Sequence, residues 1–557
     1  MTAAMPWLER YPSGVAHEFR ALPFATIPEM FAASVARFGD AVAFENFGVG
    51  LSFNGLDRRS RDFAAFLQSG CGLKPGDRVA MMMPNILQYP VALFGILRAG
   101  LVVVSVNPLY TARELAHQLS DSGAVAIVLF EGAAHTLQQV IAGTAVRHVV
   151  VASVGGMLGV PKGWVIDFVL RTVKKMVPAW SIAGAVTFGA ALARGKSLAL
   201  DEPALAADDL AFLQYTGGTT GVSKGAMLQH RHVLANVGQT LQFFANAIGT
   251  EREIAVAPLP LYHILALVMN CMIFVLIGGR QVLITNPRDI PRLVKTLRDS
   301  RFTFFVGVNT LYNALANDSG FAQLDFSRVN VFAGGGAPFQ AAVAERWKNI
   351  TGKALIEGYG LTETSGAVCI NRPDSDRHSG CAGLPIPGTM VEIRGDDGRV
   401  LPPGEIGEVC VRGPQVMAGY WQRPAETAQV LGADGFLRTG DLGTFTPEGL
   451  LRIVDRLKDM ILVSGFNVYP SEVEDVLMTH PGIVESAVVG IPDPRSGEAV
   501  KAFVVRRDPA LTAQAVVEHC RAGLTGYKVP HLVEFRDTLP KSPVGKILRR
   551  ELRVPVP

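Results

Sequence analysis

A chain of 557 residues exceeds what one hydrophobic core organises, so two or more domains are expected. Its 49% apolar and 18% charged residues exclude a disordered chain, and a net charge of +3 leaves no basic footprint for nucleic acid. Six cysteines (Cys71, Cys271, Cys369, Cys381, Cys410 and Cys520) form no C-x-x-C pair and no His/Cys ligand spacing, which suits reduced thiols in the cytoplasm.

In chain order, Glu9 and Arg10 precede any apolar stretch of signal-peptide length, so no secretion signal is expected. From 77 the texture alternates: "DRVAMMM" reads as a buried strand and "ILQYPVALFGILRAG" as a helix ending in Gly100. Then come the strand "LVVVSVN", the helix "YTARELAHQLSDSG" and the strand "AVAIVLF". This order predicts a parallel sheet covered on both faces. In 161–180, Trp164, Ile166, Phe168, Val169 and Val173 interleave with Arg171, Lys174 and Lys175. Two readings stand there: an ordinary surface helix, or a helix lying on an anionic membrane. "ILALVMNCMIFVLIGG", 264–279, is short for a span and contains Asn270, so a buried helix is expected. The wound pattern returns over 302–360, as strand "FTFFVGV", a helix from about 309, strand "VNVFAGGG", helix "QAAVAERWKNITG" and "ALIEGYG".

After about 390, short strands ("MVEIRG", "GEVCVRG", "LLRIVD") between Gly/Pro turns predict a small β-subdomain. From 456 a compact α+β unit is expected. "PSEVEDVLMTHPG" is a helix with Ser471 and Glu474 spaced as a capping box, followed by strands "VESAVVGI" and "KAFVVRR", a helix near 512–524 and "LVEFRD". The predicted fold is thus α/β: two wound subdomains plus a small β-subdomain over 1–455, and a small mobile α+β domain over 456–557.

Four stretches carry chemistry. "YTGGTTGVSKGAM", 215–227, packs glycines, hydroxyls and Lys224 between two predicted strands. A phosphate held there depends on backbone N–H groups, hydroxyls and the lysine, because no helix dipole follows. "GYGLTET", 358–364, sets Tyr359 and Glu363 beside glycines, an aromatic for a base and an acid for Mg²⁺. "RTGDL", 438–442, puts Asp441 at an expected turn, where a carboxylate accepts two ribose hydroxyls. "LPKSPVGKILRR", 539–550, isolates Lys546 between Gly545 and an apolar pair.

With "DRLKD" at 455–459 and "GFNVYPSEVE" at 465–474, these stretches resemble, in order, the motifs of the adenylate-forming superfamily. The nearest branch resembles the bacterial long-chain fatty acid–CoA ligases, as do "NPLYTARELAHQLSDSGA" and "LPLYHILAL". The resemblance implies ATP, Mg²⁺ and coenzyme A, with a fatty acid activated as acyl-AMP and passed to CoA. It implies that Thr216, Gly217, Gly218, Thr219, Thr220, Gly221, Ser223 and Lys224 hold the β- and γ-phosphates. Gly334, Gly335, Gly336, Glu357, Gly358, Tyr359, Gly360, Leu361 and Thr362 would line the nucleotide. Asp441 and Arg456 would hold the ribose, and Thr216 and Glu363 the metal. Thr216, Lys224, Glu363 and Lys546 are the implied catalytic set, Lys546 bridging carboxylate and α-phosphate.

His263, Val308, Gly335 and Gly358 match the family's acyl pocket. The C-terminal domain would swing about a hinge at Asp455 and Lys458, replacing Lys546 by the thioester loop Ser464, Gly465, Phe466 and Asn467. The chain departs from some relatives there: Leu462 and Val463 stand where a lysine occurs, so no acid–base residue is assigned to the thioester step. A homodimer is a further expectation, as is peripheral contact with the inner membrane if the membrane reading of 161–180 holds. The rival readings are a medium-chain or aryl acid–CoA ligase, a free-standing enzyme loading a carrier protein, and a non-catalytic acyl or nucleotide sensor. The chain stops soon after Lys546, which disfavours an embedded assembly-line domain.

Overall fold

Val102–Ser105 is four buried residues, three of them valine, and strands of this kind form the first sheet. β-Branched runs covered on both faces have no polar side to offer water, so they settle in the middle of parallel sheets. The computed structural model of the chain describes residues 5, 7–216, 223–249, 252–542 and 545–553. Among these, a seven-stranded sheet runs Val186–Thr187, His148–Ala152, Ala126–Phe130, Arg78–Met82, Val102–Ser105, Leu210–Tyr215, Gly225–Gln229. Every neighbouring pair is parallel except the last, which is antiparallel. The helix Ala112–Ser122 that returns the chain starts in a capping box between Thr111 and Glu114 and ends at left-handed Gly123.

A nine-stranded sheet forms the second wound half, with Ile356–Tyr359, Val331–Gly335, Phe304–Gly307 and Ile254–Ala257 as successive parallel neighbours. One apolar core runs through both halves and reaches the antiparallel four-stranded sheet Met390–Arg394, Gly407–Arg412, Leu437–Phe445, Leu451–Arg456. The remaining unit has its own core around Ile461, Val488, Val504 and Val516. Its five-stranded sheet carries the helices Pro470–Met478 and Ala513–Gly523. The fold is α/β, with large parallel-sheet halves followed by a smaller α+β unit. The helical segment from Ile264 to Leu276 is buried in the main core, and no helix among the described residues is long and apolar enough to cross a membrane.

Three local expectations are corrected. Asp441 is not at a turn. It lies inside the strand Leu437–Phe445, whose pairing shifts register on both sides of it. Ser471 and Glu474 do not make a capping box, because Pro470 opens the helix and Tyr469 is its cap. The Ser471 N–H is instead taken by Asp455 Oδ2 at 2.8 Å, and Glu474 turns to Arg549. The helix expected over 161–180 covers only Lys162–Phe168 and the wide turn Val169–Val173. There Ile166 and Leu170 pack on the core, while Trp164, Phe168 and Val173 stay exposed.

Candidate active site

Adjacent parallel strands bring the first candidates together at their carboxyl ends, where open α/β sheets bind ligands. Gly334 pairs with Glu357 and Gly335 with Gly358, so Gly334, Gly335, Gly336, Gly358 and Tyr359 share one edge. The Tyr359 hydroxyl donates to Asp441 Oδ2 at 2.7 Å, and Arg456 Nε lies 3.1 Å from Asp441 Oδ1. Asp441 and Arg456 are cross-strand partners, and Asp441 is only 4% exposed. Burial, then the Asp441 carboxylate, holds the Tyr359 phenol well above its ordinary range, so it stays a donor. Past Gly360, the Leu361 N–H donates to Thr364 Oγ1 at 3.0 Å, closing the short turn Thr362–Thr364 that holds Glu363. Tyr420 donates to Glu363 Oε1 at 2.7 Å.

Glu357 departs from its neighbours. Its Oε2 accepts from the Phe339 N–H at 3.4 Å and lies 3.8 Å from His378 Nε2. Burial, with Asp475 adding to it, pushes this carboxyl up to about 8, so it is protonated near neutral pH.

On the other side stand the ends of the phosphate stretch. The Thr216 N–H donates to the Lys224 carbonyl at 2.9 Å, and Ser223 Oγ to the Thr216 carbonyl at 2.6 Å. Lys224 ion-pairs with Glu426 and sits 5.0 Å from the Tyr420 ring centre. Tyr420 therefore joins Lys224 to Glu363. Gly217, Gly218, Thr219, Thr220 and Gly221 lie outside the described residues.

Lys546 enters from the C-terminal unit on a tight loop. Its N–H donates to Ser542 Oγ at 3.1 Å and its carbonyl accepts from the Ser542 N–H at 2.7 Å. Gly545 has φ +81° and faces Thr310 and Val308, so the loop abuts the wall that carries Val308. Burial first, then the Arg456 guanidinium, pushes the Lys546 ammonium down to about 8, against the pull of Asp441. His263 opens the helix Ile264–Ala266, and its Nδ1 accepts from the Leu265 N–H at 3.4 Å. Burial and then Lys546 push this imidazole down to about 4, leaving it neutral. Lys546, His263, Val308, Asp441 and Arg456 thus converge.

The turn at 464–467 does not join them. Ser464 and Gly465 both have positive φ and connect the hairpin strands Ile461–Val463 and Phe466–Val468, as a two-residue turn requires. Ser464, Gly465, Phe466 and Asn467 are exposed, and Phe466 stacks on Tyr527 at 4.9 Å. At the expected hinge, burial and then Arg456 hold the Lys458 ammonium down to about 8. Asp455 is buried under Ser471 and Arg549.

Sequence reasoning missed Tyr420, Glu426 and the partners of Arg549. Arg549 lies in the 539–550 motif, which marks its place but not its bonds. Nothing in the local sequence marks Tyr420 or Glu426.

This arrangement has counterparts. A family model described as AMP-binding enzyme matches residues 31–421, and its C-terminal-domain model matches 472–546. The chain is 56% identical over 547 residues to a long-chain-fatty-acid–CoA ligase of Escherichia coli, covering 98% of this chain and 97% of the relative. It is 36% identical to a feruloyl-CoA synthase of Amycolatopsis, covering 92% and 95%. The crystal structure of ATP-bound MatB from Rhodopseudomonas palustris superposes with a TM-score of 0.80 at 29% identity, covering 94% and 98%. With two motif-bearing regions meeting at Asp441 and Lys546 and family matches on both, the chain belongs to the AMP-binding enzyme family.

Proposed function

We propose that the chain is an ATP-dependent long-chain fatty acid–CoA ligase. The fatty carboxylate oxygen attacks the α-phosphorus of ATP, the bond to the bridging oxygen of the β-phosphate breaks, and pyrophosphate leaves. The CoA sulfur then attacks the acyl carbonyl of the adenylate, its proton goes to solvent, and the acyl–phosphate bond breaks to release AMP. The observation that carries this reading is the buried Lys546 ammonium, set among Asp441, Arg456 and His263. Two anions meet in the first step, and a fixed cation out of water stabilises the charge gathering between them. Asp441, braced by Tyr359 and Arg456, presents a carboxylate to the ribose hydroxyls. Neutral His263 beside Lys546 lines the acyl end without adding a second charge.

Lys224 and the stretch 216–224 take the β- and γ-phosphates. Glu363, oriented by Tyr420, and the Thr216 hydroxyl are hard oxygen donors. Those oxygens would hold a Mg²⁺. Bound there, the ion would neutralise phosphate charge. The turn at 464–467, exposed when Lys546 is in place, serves the thioester step after the C-terminal unit turns about 455–458. Gly334, Gly335, Gly336 and Gly358 bound the nucleotide and acyl head.

Support for a long-chain acid comes from the Escherichia coli relative, and the Amycolatopsis synthase keeps an aryl acid as the rival. The setting is cytoplasmic, consistent with six free thiols. The exposed Val160, Trp164, Phe168 and Val173 support peripheral contact with the membrane that holds the substrate. Each buried CH₂ contributes about 0.8 kcal/mol, so kcat/KM should climb steeply with chain length. Pyrophosphate release and acyl-CoA formation measured from hexanoate to stearate, with ferulate alongside, test the reading. The expected maximum lies at the long-chain end. A maximum at ferulate overturns the substrate, and no release with any acid overturns the enzyme.

A further inference from the structure

Arg549 lies three residues beyond Lys546 and is 16% exposed at its side chain. Its guanidinium is spent on four groups. Nε and Nη2 fork onto Glu474 at 3.0 and 2.7 Å, and Nη2 also reaches Ser471 Oγ at 3.1 Å. Nη1 donates to Asp455 Oδ1 at 3.0 Å and approaches Asp459 Oδ2 at 3.7 Å. The Asp455 side chain is 2% exposed, and its other oxygen takes the Ser471 N–H at 2.8 Å. Burial alone would weaken the Arg549 cation, but the carboxylates of Glu474 and Asp455 overcome that and hold it firmly charged.

With the turn made at Lys458, the later of the two hinge residues, these partners fall on its two sides. Asp455 belongs to the strand Leu451–Arg456 of the four-stranded sheet, whereas Ser471, Glu474 and Arg549 belong to the C-terminal unit. A rotation at Lys458 carries the Arg549–Glu474 fork along intact. It breaks both bonds to Asp455, the Arg549 bond and the Ser471 N–H bond. Asp459 stays with the moving side, where Arg553 also holds it at 3.1 Å. The contacts on Asp455 therefore exist only while Lys546 is in the site. A buried carboxylate that loses its cation is costly, so these contacts favour that orientation.

We infer that Arg549 is a positioning residue for acyl-adenylate formation, fastening the Lys546 segment to Asp455 across the hinge. It acts through Lys546 and touches no substrate. The role rests on the proposed two-orientation reading and adds to it the particular bond that must be undone between the half-reactions.

The test reads the two half-reactions separately in the full chain. Adenylation is followed as acid-dependent exchange of labelled pyrophosphate into ATP, and the second step as thioester formation from supplied palmitoyl-adenylate and CoA. Asp455→Asn keeps the Arg549–Glu474 fork, and with it the folded C-terminal unit. It removes the charge and sets an amide against the Ser471 N–H. A displaced catalytic group costs about 10²-fold in rate, so adenylation kcat should fall by that order with little change in KM for ATP. The thioester step should fall far less. Arg549→Gln should also lower adenylation more than thioester formation, and adding Asp455→Asn to it should cost adenylation little more, because the Arg549–Asp455 bond is already gone.

Equal loss of both steps with Asp455→Asn, or full additivity of the pair, overturns the role. Lys546→Ala in the same assays tells the two failures apart. If it too reduces both steps equally, the two-orientation reading fails. If it separates them and Asp455→Asn does not, only the positioning role fails.

Discussion

Burial and the Arg456 guanidinium hold the Lys546 ammonium down to about 8, although the first reaction step needs it as a cation. The free protein therefore carries a strain that anionic substrates relieve. Between about 8 and 10.5 the folded state has lost a proton that the unfolded state still binds, so stability rises with pH across that window. Below it both states are charged, and the full penalty is present. Lys546→Met should accordingly make the substrate-free protein more stable than the parent at neutral pH, by at most on the order of 3 kcal/mol. The gain should vanish as pH approaches the ordinary lysine range. Urea unfolding of both proteins at neutral and alkaline pH checks this, and a variant less stable than the parent at neutral pH contradicts it. Adenylation should be lost throughout.

Among the elements, the loop carrying Lys546 depends on one backbone conformation. Gly545 has positive φ, and a Cβ added there would press on Thr310 Oγ1. Gly545→Ala should therefore cost about 1 kcal/mol or more in docking of the loop and lower adenylation more than thioester formation. Equal rates for parent and variant in the pyrophosphate exchange assay would show that the loop tolerates the strain.

The elements were also the most legible part of the sequence. Buried strands such as Arg78–Met82 and Phe304–Gly307 announce themselves as apolar runs between turn residues, and the Thr111–Glu114 cap as a local pattern. Asp441 misled because a Gly-Asp pair suggests a turn, whereas strand pairing with Arg456 overrides it. Ser471 and Glu474 had the spacing of a cap, but a cation from the far end of the chain takes both side chains. The site's motif residues could be named in advance, since backbone approach and charge demand particular residue types. Tyr420 and Glu426 could not, because their value lies in partners brought near only by tertiary folding.

At the scale of the whole molecule, one face carries a cluster of large exposed apolar side chains. Val160 is 94% and Trp164 73% exposed, and Phe168 and Val173 continue the apolar ridge. Lys174 and Lys175 flank it, while Arg171 is already paired with Glu131 at 2.9 Å. An apolar ridge flanked by lysines that make no ion pair among the described residues suits the boundary of an anionic bilayer. Replacing Trp164 and Phe168 by Glu should abolish flotation with phosphatidylglycerol vesicles, and Lys174→Glu with Lys175→Glu should weaken it. Turnover of acid presented without vesicles should be unaffected. Flotation unchanged in both variants would assign this face another role.

The Lys224–Glu426 pair has a consequence for the end of the cycle. On the proposed reading, Lys224 grips pyrophosphate, yet the protein keeps its own anion within reach of the same ammonium. Entering phosphate competes with Glu426 for that ammonium, which tempers the hold on nucleotide. The displaced carboxylate then waits as a competitor. Once the chemistry has made pyrophosphate a separate molecule, Glu426 can reclaim the lysine and usher it out. On that reading, product escape becomes a substitution of one anion for another, prepared by the Lys224–Glu426 pair.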